Sequence, residues 1–178
     1  MKQVPEFASL YGRFPDADGL PPAESIPSYE IPEPYRALLV HHHHMTVTVE
    51  NFYGDRVEVR VLESRRSGSE YARKILLELA GNRRVVQLGV VGIDLDLLSP
   101  AVRDRIVAEE TPLGRVLIEH NVLREVHPTG YLRIAPNASL RNWFGMVVDE
   151  PLYGRLGVIT ADGRPAIEVL EILAPVPR

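Results

Sequence analysis

Apolar residues recur along much of this chain with a period of two. Val57, Val59 and Val61 alternate with Arg56, Glu58 and Arg60, so residues 56–61 read as a half-buried strand. Residues 71–79 and 84–93 read as two further strands, and the Ala80-Gly81-Asn82-Arg83 turn between them predicts a hairpin. A last hairpin joins residues 156–160 to 165–173 through Ala161-Asp162-Gly163-Arg164. Turns this short make the strands antiparallel, and strands outnumber helices. Ser99-Pro100 and Thr111-Pro112 each set a hydroxyl before a proline, the pattern of a capped helix start with proline at its first position. Two segments fit more than one element. In residues 45–54 the spacing of Val47 and Val49 suits a strand, while Val49, Phe52 and Tyr53 share a helical face. Residues 35–40 fit a short helix or an extended entry.

Before residue 35 the periodicity dissolves. Pro5, Pro15, Pro21, Pro22, Pro27, Pro32 and Pro34 remove backbone donors and break helices, so residues 1–34 are expected as an irregular arm and 35–178 as the folded domain. A length of 178 residues favours one such domain. The formal charge of -4 leaves no basic footprint, and no nucleic-acid partner is expected. The absence of cysteine excludes disulfides, thiolate metal sites and a cysteine nucleophile, and it fits a reducing compartment. Met1-Lys2-Gln3-Val4-Pro5-Glu6 lacks the apolar run of a secretory leader, and no stretch is long enough to span a bilayer. The expectation is a soluble cytoplasmic protein without membrane insertion.

Two charges interrupt otherwise apolar strand faces. Arg73 shares its face with Tyr71, Ile75 and Leu77, and Glu171 shares one with Ile167, Val169 and Leu173. A buried charge needs a partner. If both faces line one cavity, that partner is a polar ligand bearing a carboxylate, with Arg73 on its anion and Glu171 on its hydroxyl; the alternative is a structural Arg73–Glu171 pair. In Thr111-Pro112-Leu113-Gly114-Arg115, the first helical turn leaves N–H groups unpaired at the positive end of the dipole. Leu113 and Gly114 either offer these donors to a carboxylate, with Gly114 allowing close approach, or Thr111 caps the helix and Leu113 packs in the core. The run His41-His42-His43-His44 raises a metal reading. Neighbouring side chains diverge on a strand or a helix, so at most two converge on a regular backbone, and no metal site is expected.

The ordered set Met45-Thr46, Tyr71-Ala72-Arg73-Lys74-Ile75-Leu76-Leu77, Thr111-Pro112-Leu113-Gly114-Arg115, Gly163-Arg164-Pro165 and Glu171-Ile172-Leu173-Ala174-Pro175 resembles the chorismate pyruvate-lyase family over about residues 38 to 177. The resemblance implies an α+β fold with a single antiparallel β-sheet, helices on one side and helical flaps over a buried ligand site. It implies a carbon–oxygen lyase that forms 4-hydroxybenzoate and pyruvate from chorismate without cofactor. Arg73 is then on the aromatic carboxylate, Glu171 on the ring hydroxyl, and backbone groups at Met45 and Leu113 complete the contacts. The chain departs from the family in Val86-Gln87-Leu88-Gly89-Val90-Val91-Gly92, where Leu88 is read as standing in place of a second arginine, and in residues 124–153, a long stretch holding Arg141, Trp143 and Phe144 that fits a lid or a surface hairpin. Two other readings share the fold: an enzyme acting on another cyclic hydroxy or enol acid, and a non-catalytic binding module of the kind used as effector domains in bacterial transcription regulators.

Overall fold

The computed structural model describes residues 6–177, so the leader reading of Met1–Pro5 lies outside it. The elements are α1 (Phe7–Tyr11), β1 (Ala23–Ile26), α2 (Tyr35–Leu39), α3 (Met45–Tyr53), β2 (Val57–Ser67), β3 (Glu70–Leu79), β4 (Val85–Asp94), α4 (Pro100–Val107), α5 (Leu113–Glu119), β5 (Arg124–Ile134), α6 (Ala138–Phe144), β6 (Leu152–Ala161) and β7 (Arg164–Leu173). The strands form one antiparallel sheet in the order β1-β5-β6-β7-β4-β3-β2. This is the expected α+β class with a single sheet. No helix among the described residues is long and apolar enough to cross a membrane.

Alternation sorts the side chains onto two faces. On one, Ile75 and Leu77 of β3 and Leu173 of β7 meet Leu38, Leu39, Met45 and Val49 from α2 and α3. Tyr71, Val91, Ile167 and Val169 on the same face meet Val102 and Ile106 of α4 and Val116 and Leu117 of α5. On the other face Leu76, Leu88, Val90, Leu170 and Ile172 are covered by Leu10 and Tyr11 of α1 and Leu140 of α6. Helices therefore lie on both sides of the sheet. Each large apolar side chain removed from water contributes about 1.5–3 kcal/mol, and the central strands are buried on both faces.

Residues 6–34, read as an irregular arm, contain α1, a sheet strand and a 3-10 turn at Ser28–Glu30. Residues 45–54 resolve as helix, stopped by Gly54 in the left-handed region at φ 66. Ser99 caps α4 as its sequence implies, its Oγ accepting from the Val102 N–H at 3.4 Å. Thr111 does not cap α5: the N-cap position is Pro112, and the Thr111 hydroxyl instead accepts from Arg105 Nη2 at 3.0 Å. Residues 124–153 hold β5, α6 and the start of β6, and Trp143 packs against Lys74 on the face away from α3 and α5.

Candidate functional site

The starts of α3 and α5 converge over the middle of the sheet, above a cavity of about 50 Å³. Met45, Thr46, Leu113 and Gly114 form its roof, Arg73, Gln87, Gly89 and Glu171 belong to its floor, and Val59, Ile75, Leu77, Val91, Ile159 and Val169 supply its apolar walls. The structure thus brings all five residues singled out from the sequence, Met45, Arg73, Leu113, Gly114 and Glu171, to one place. Gly89 keeps the floor open: a Cβ there would stand 3.1 Å from Ile75 Cδ1. At Gly114 the missing side chain serves helix packing, because a Cβ would meet Thr46 Oγ1 at 2.9 Å and the His44 Cβ at 3.1 Å.

Arg73 and Lys74 are both 1% exposed, and they point to opposite faces. Lys74 is neutralised: its Nζ pairs with Asp16 and donates to the Phe14 carbonyl at 3.2 Å, with Trp143 4.5 Å away on one side. No carboxylate of the described residues pairs with Arg73. Its Nη1 and Nη2 make long bonds to the carbonyls of Ile106 at 3.4 Å and Thr111 at 3.5 Å, and its Nε has no partner. Burial pulls its pKa below the usual arginine range. Among the described residues, Gln87 Oε1 is the other buried side-chain polar atom left without a partner. Both belong to residues lining the one cavity.

Glu171 does not pair with Arg73. It faces Arg155 across the β6–β7 ladder, and Arg155 Nε donates to Glu171 Oε2 at 2.5 Å. The remaining donors of Arg155 are spent on backbone: Nη1 on the carbonyls of Leu39 at 3.3 Å and His41 at 3.1 Å, Nη2 on that of His43 at 3.1 Å. The second arginine of this face therefore comes from β6, not from β4. Leu88, read as standing in its place, points to the opposite face among Leu76 and Ile172. Arg155 is the residue sequence reasoning missed, although Tyr153, Gly157 and Ile159 flank it at the same two-residue spacing that singled out Arg73.

The histidine run is folded around Arg155. His41 Nε2 contacts the Leu38 carbonyl at 2.7 Å, and His42 Nδ1 contacts that of Val126 at 3.0 Å. Burial, with the Arg124 guanidinium beside it, holds the His44 imidazole down at about 4, so near neutral pH it is uncharged and accepts from Arg124 Nε at 2.6 Å. The rings thus serve different partners, and no group of three or more metal-ligating side chains forms among the described residues.

A wider groove of about 960 Å³ opens beside Arg13, Arg65, Arg66 and Glu168. It is a weaker candidate despite its size, since Arg13 is already paired with Glu168 at 2.7 Å and neither unpartnered polar atom lies in it.

No protein-family model matches the chain, and no curated protein does. Solved structures do. PhnF from Mycobacterium smegmatis aligns with TM-score 0.52 at 10% identity, over 76% of this chain and 65% of that one, which shows a shared fold. The ligand-binding domain of a proposed GntR-family transcriptional regulator from Bordetella bronchiseptica aligns with TM-score 0.47 at 16% identity, over 66% and 85% of the two chains. A GntR-family transcriptional regulator from Bacillus cereus aligns with TM-score 0.45 at 13% identity, over 67% and 92%. The expectation of a carbon–oxygen lyase is corrected: the structure that shows the shared fold is named PhnF and not a lyase. The site agrees, because Arg155 holds the Glu171 carboxylate that was to meet a ring hydroxyl.

Proposed function

We propose that this chain is a small-molecule-binding module whose ligand carries a carboxylate. The observation that carries the reading is the contrast between two adjacent buried cations, Lys74 with Asp16 in contact and Arg73 with no acid in contact, only the more distant charge of Glu109 beside Tyr71. A guanidinium held out of water without a counter-charge destabilises the fold, and such a group is retained where it has a task. The first residues of α3 and α5 line the same cavity, and the positive ends of the helix dipoles favour negative charge there. Backbone near Met45, Leu113 and Gly114 then shares the anion with Arg73, and Glu171 acts through Arg155 by shaping the floor. A fold shared with PhnF is compatible with this reading, and the Bordetella neighbour is named a ligand-binding domain.

The test uses Arg73→Met. Replacing a buried unpaired charge by an apolar side chain of similar length is expected to leave stability unchanged or raise it by about 1–4 kcal/mol, while abolishing carboxylate binding measured by calorimetry. Lower stability with carboxylate affinity unchanged would show that Arg73 is structural, and would overturn the reading.

A further inference from the structure

Resting on that carboxylate reading, we infer that the ligand is a short aliphatic hydroxy-monocarboxylate and that Gln87 is the residue that recognises its hydroxyl. Charge comes first. Arg155 and Glu171 cancel each other, which leaves Arg73 as the charge among the lining residues that has no acid in contact. One anionic group is matched. A second would have no counter-charge and would face Glu171.

Size and lining narrow the class further. A cavity of about 50 Å³ holds only a few water-sized groups, since one water needs roughly 10–15 Å³ on this measure. Pockets for larger ligands run to about 300–1,000 Å³. The walls are the six aliphatic side chains named above, and no Phe, Tyr or Trp lines the space. A benzoate-sized ring has neither the room nor a stacking partner there.

Gln87 supplies the polar end. It lies on the same face as Arg73, four ladder rows away with Gly89 midway between them, and its side chain lies over Gly89, with Nε2 3.7 Å from where a Cβ on that glycine would stand. The residue is 3% exposed and its Oε1 is buried without a donor. An unpaired donor on Arg73 and an unpaired acceptor on Gln87, separated by apolar walls, describe a ligand with an anionic acceptor at one end and a hydroxyl donor at the other.

Calorimetric titration of the full chain with paired acids tests this: glycolate against acetate, lactate against propionate, 3-hydroxybutyrate against butyrate. In at least one pair the hydroxy acid binds about tenfold tighter or more, the equivalent of one good hydrogen bond. Gln87→Leu, with Gln87→Met as the length-preserving second variant, brings the two members of that pair to within about twofold. Neither variant lowers the melting temperature, because the acceptor removed has no partner in the fold. Equal affinities in the wild-type chain, an unchanged gap in the variants, or pyruvate binding above lactate would overturn the role of Gln87. Tighter Arg73-dependent binding of 4-hydroxybenzoate or succinate would overturn the ligand class while sparing the carboxylate module. If no acid of any class binds in a way that Arg73→Met abolishes, the module itself fails, and the inference with it.

Discussion

Between Arg73 and Arg155 the chain handles two buried guanidiniums on one sheet face in opposite ways. Arg155 has every nitrogen engaged, by Glu171 and by the carbonyls of Leu39, His41 and His43. It is a rivet that sets the path of the loop into α3, and the histidine run is placed by the carbonyls that His41 and His43 offer to it. Arg155→Met is expected to destabilise by about 3–5 kcal/mol, because it strands Glu171 as an uncompensated, largely buried charge. Urea denaturation checks this, and Arg155→Met combined with Glu171→Leu should recover the part due to charge but not the part due to the three carbonyls. A single variant no less stable than the parent would show that the pair contributes nothing. Glu171 was legible in the sequence as a charge on an apolar face, but its partner was not, because the strand carrying Arg155 begins at Leu152, four residues before the start at 156 that the alternation predicts.

At the scale of elements, the site depends on how closely α3 and α5 approach. Gly114 sets that approach, and Gly114→Ala should force its methyl against Thr46 and His44, at a cost of about 1–3 kcal/mol for overpacking. The expected result is a lower denaturation midpoint, partly restored by adding Thr46→Ala; a midpoint at or above that of the parent would mean the helices separate freely. Four of the five singled-out residues lie in or beside elements whose period or proline punctuation announced them. The exception is Met45, whose segment fitted strand and helix equally until the tertiary packing of Val49 against the sheet decided it. β5 was hidden for a different reason. Its ladder shifts between Pro128 and Gly130, so Val126 joins the cluster under α5 while Leu132 and Ile134 face α6. A bulge breaks the period that strand recognition relies on.

Across the whole molecule, the residues read as an irregular arm close the second face of the sheet. Lys74 is held there by Asp16, which also accepts from the Tyr11 hydroxyl at 2.6 Å, and burial, assisted by Asp16, raises the Tyr11 pKa. Asp16→Asn should leave Lys74 buried without its acid, lowering stability by about 3–5 kcal/mol, raising amide exchange in α1, and changing the fluorescence of Trp143 beside the ammonium. Unaltered exchange in Phe7–Tyr11 would show that apolar contacts alone hold the arm. The alternation of β3 has a practical meaning. Its backbone is a partition with one self-sufficient side and one side that carries the proposed ligand site, and Arg73 and Lys74 share no hydrogen-bond partner across it. The cavity side can be rebuilt residue by residue toward other guests while the arm side serves as an undisturbed scaffold, provided Arg155 keeps its loop.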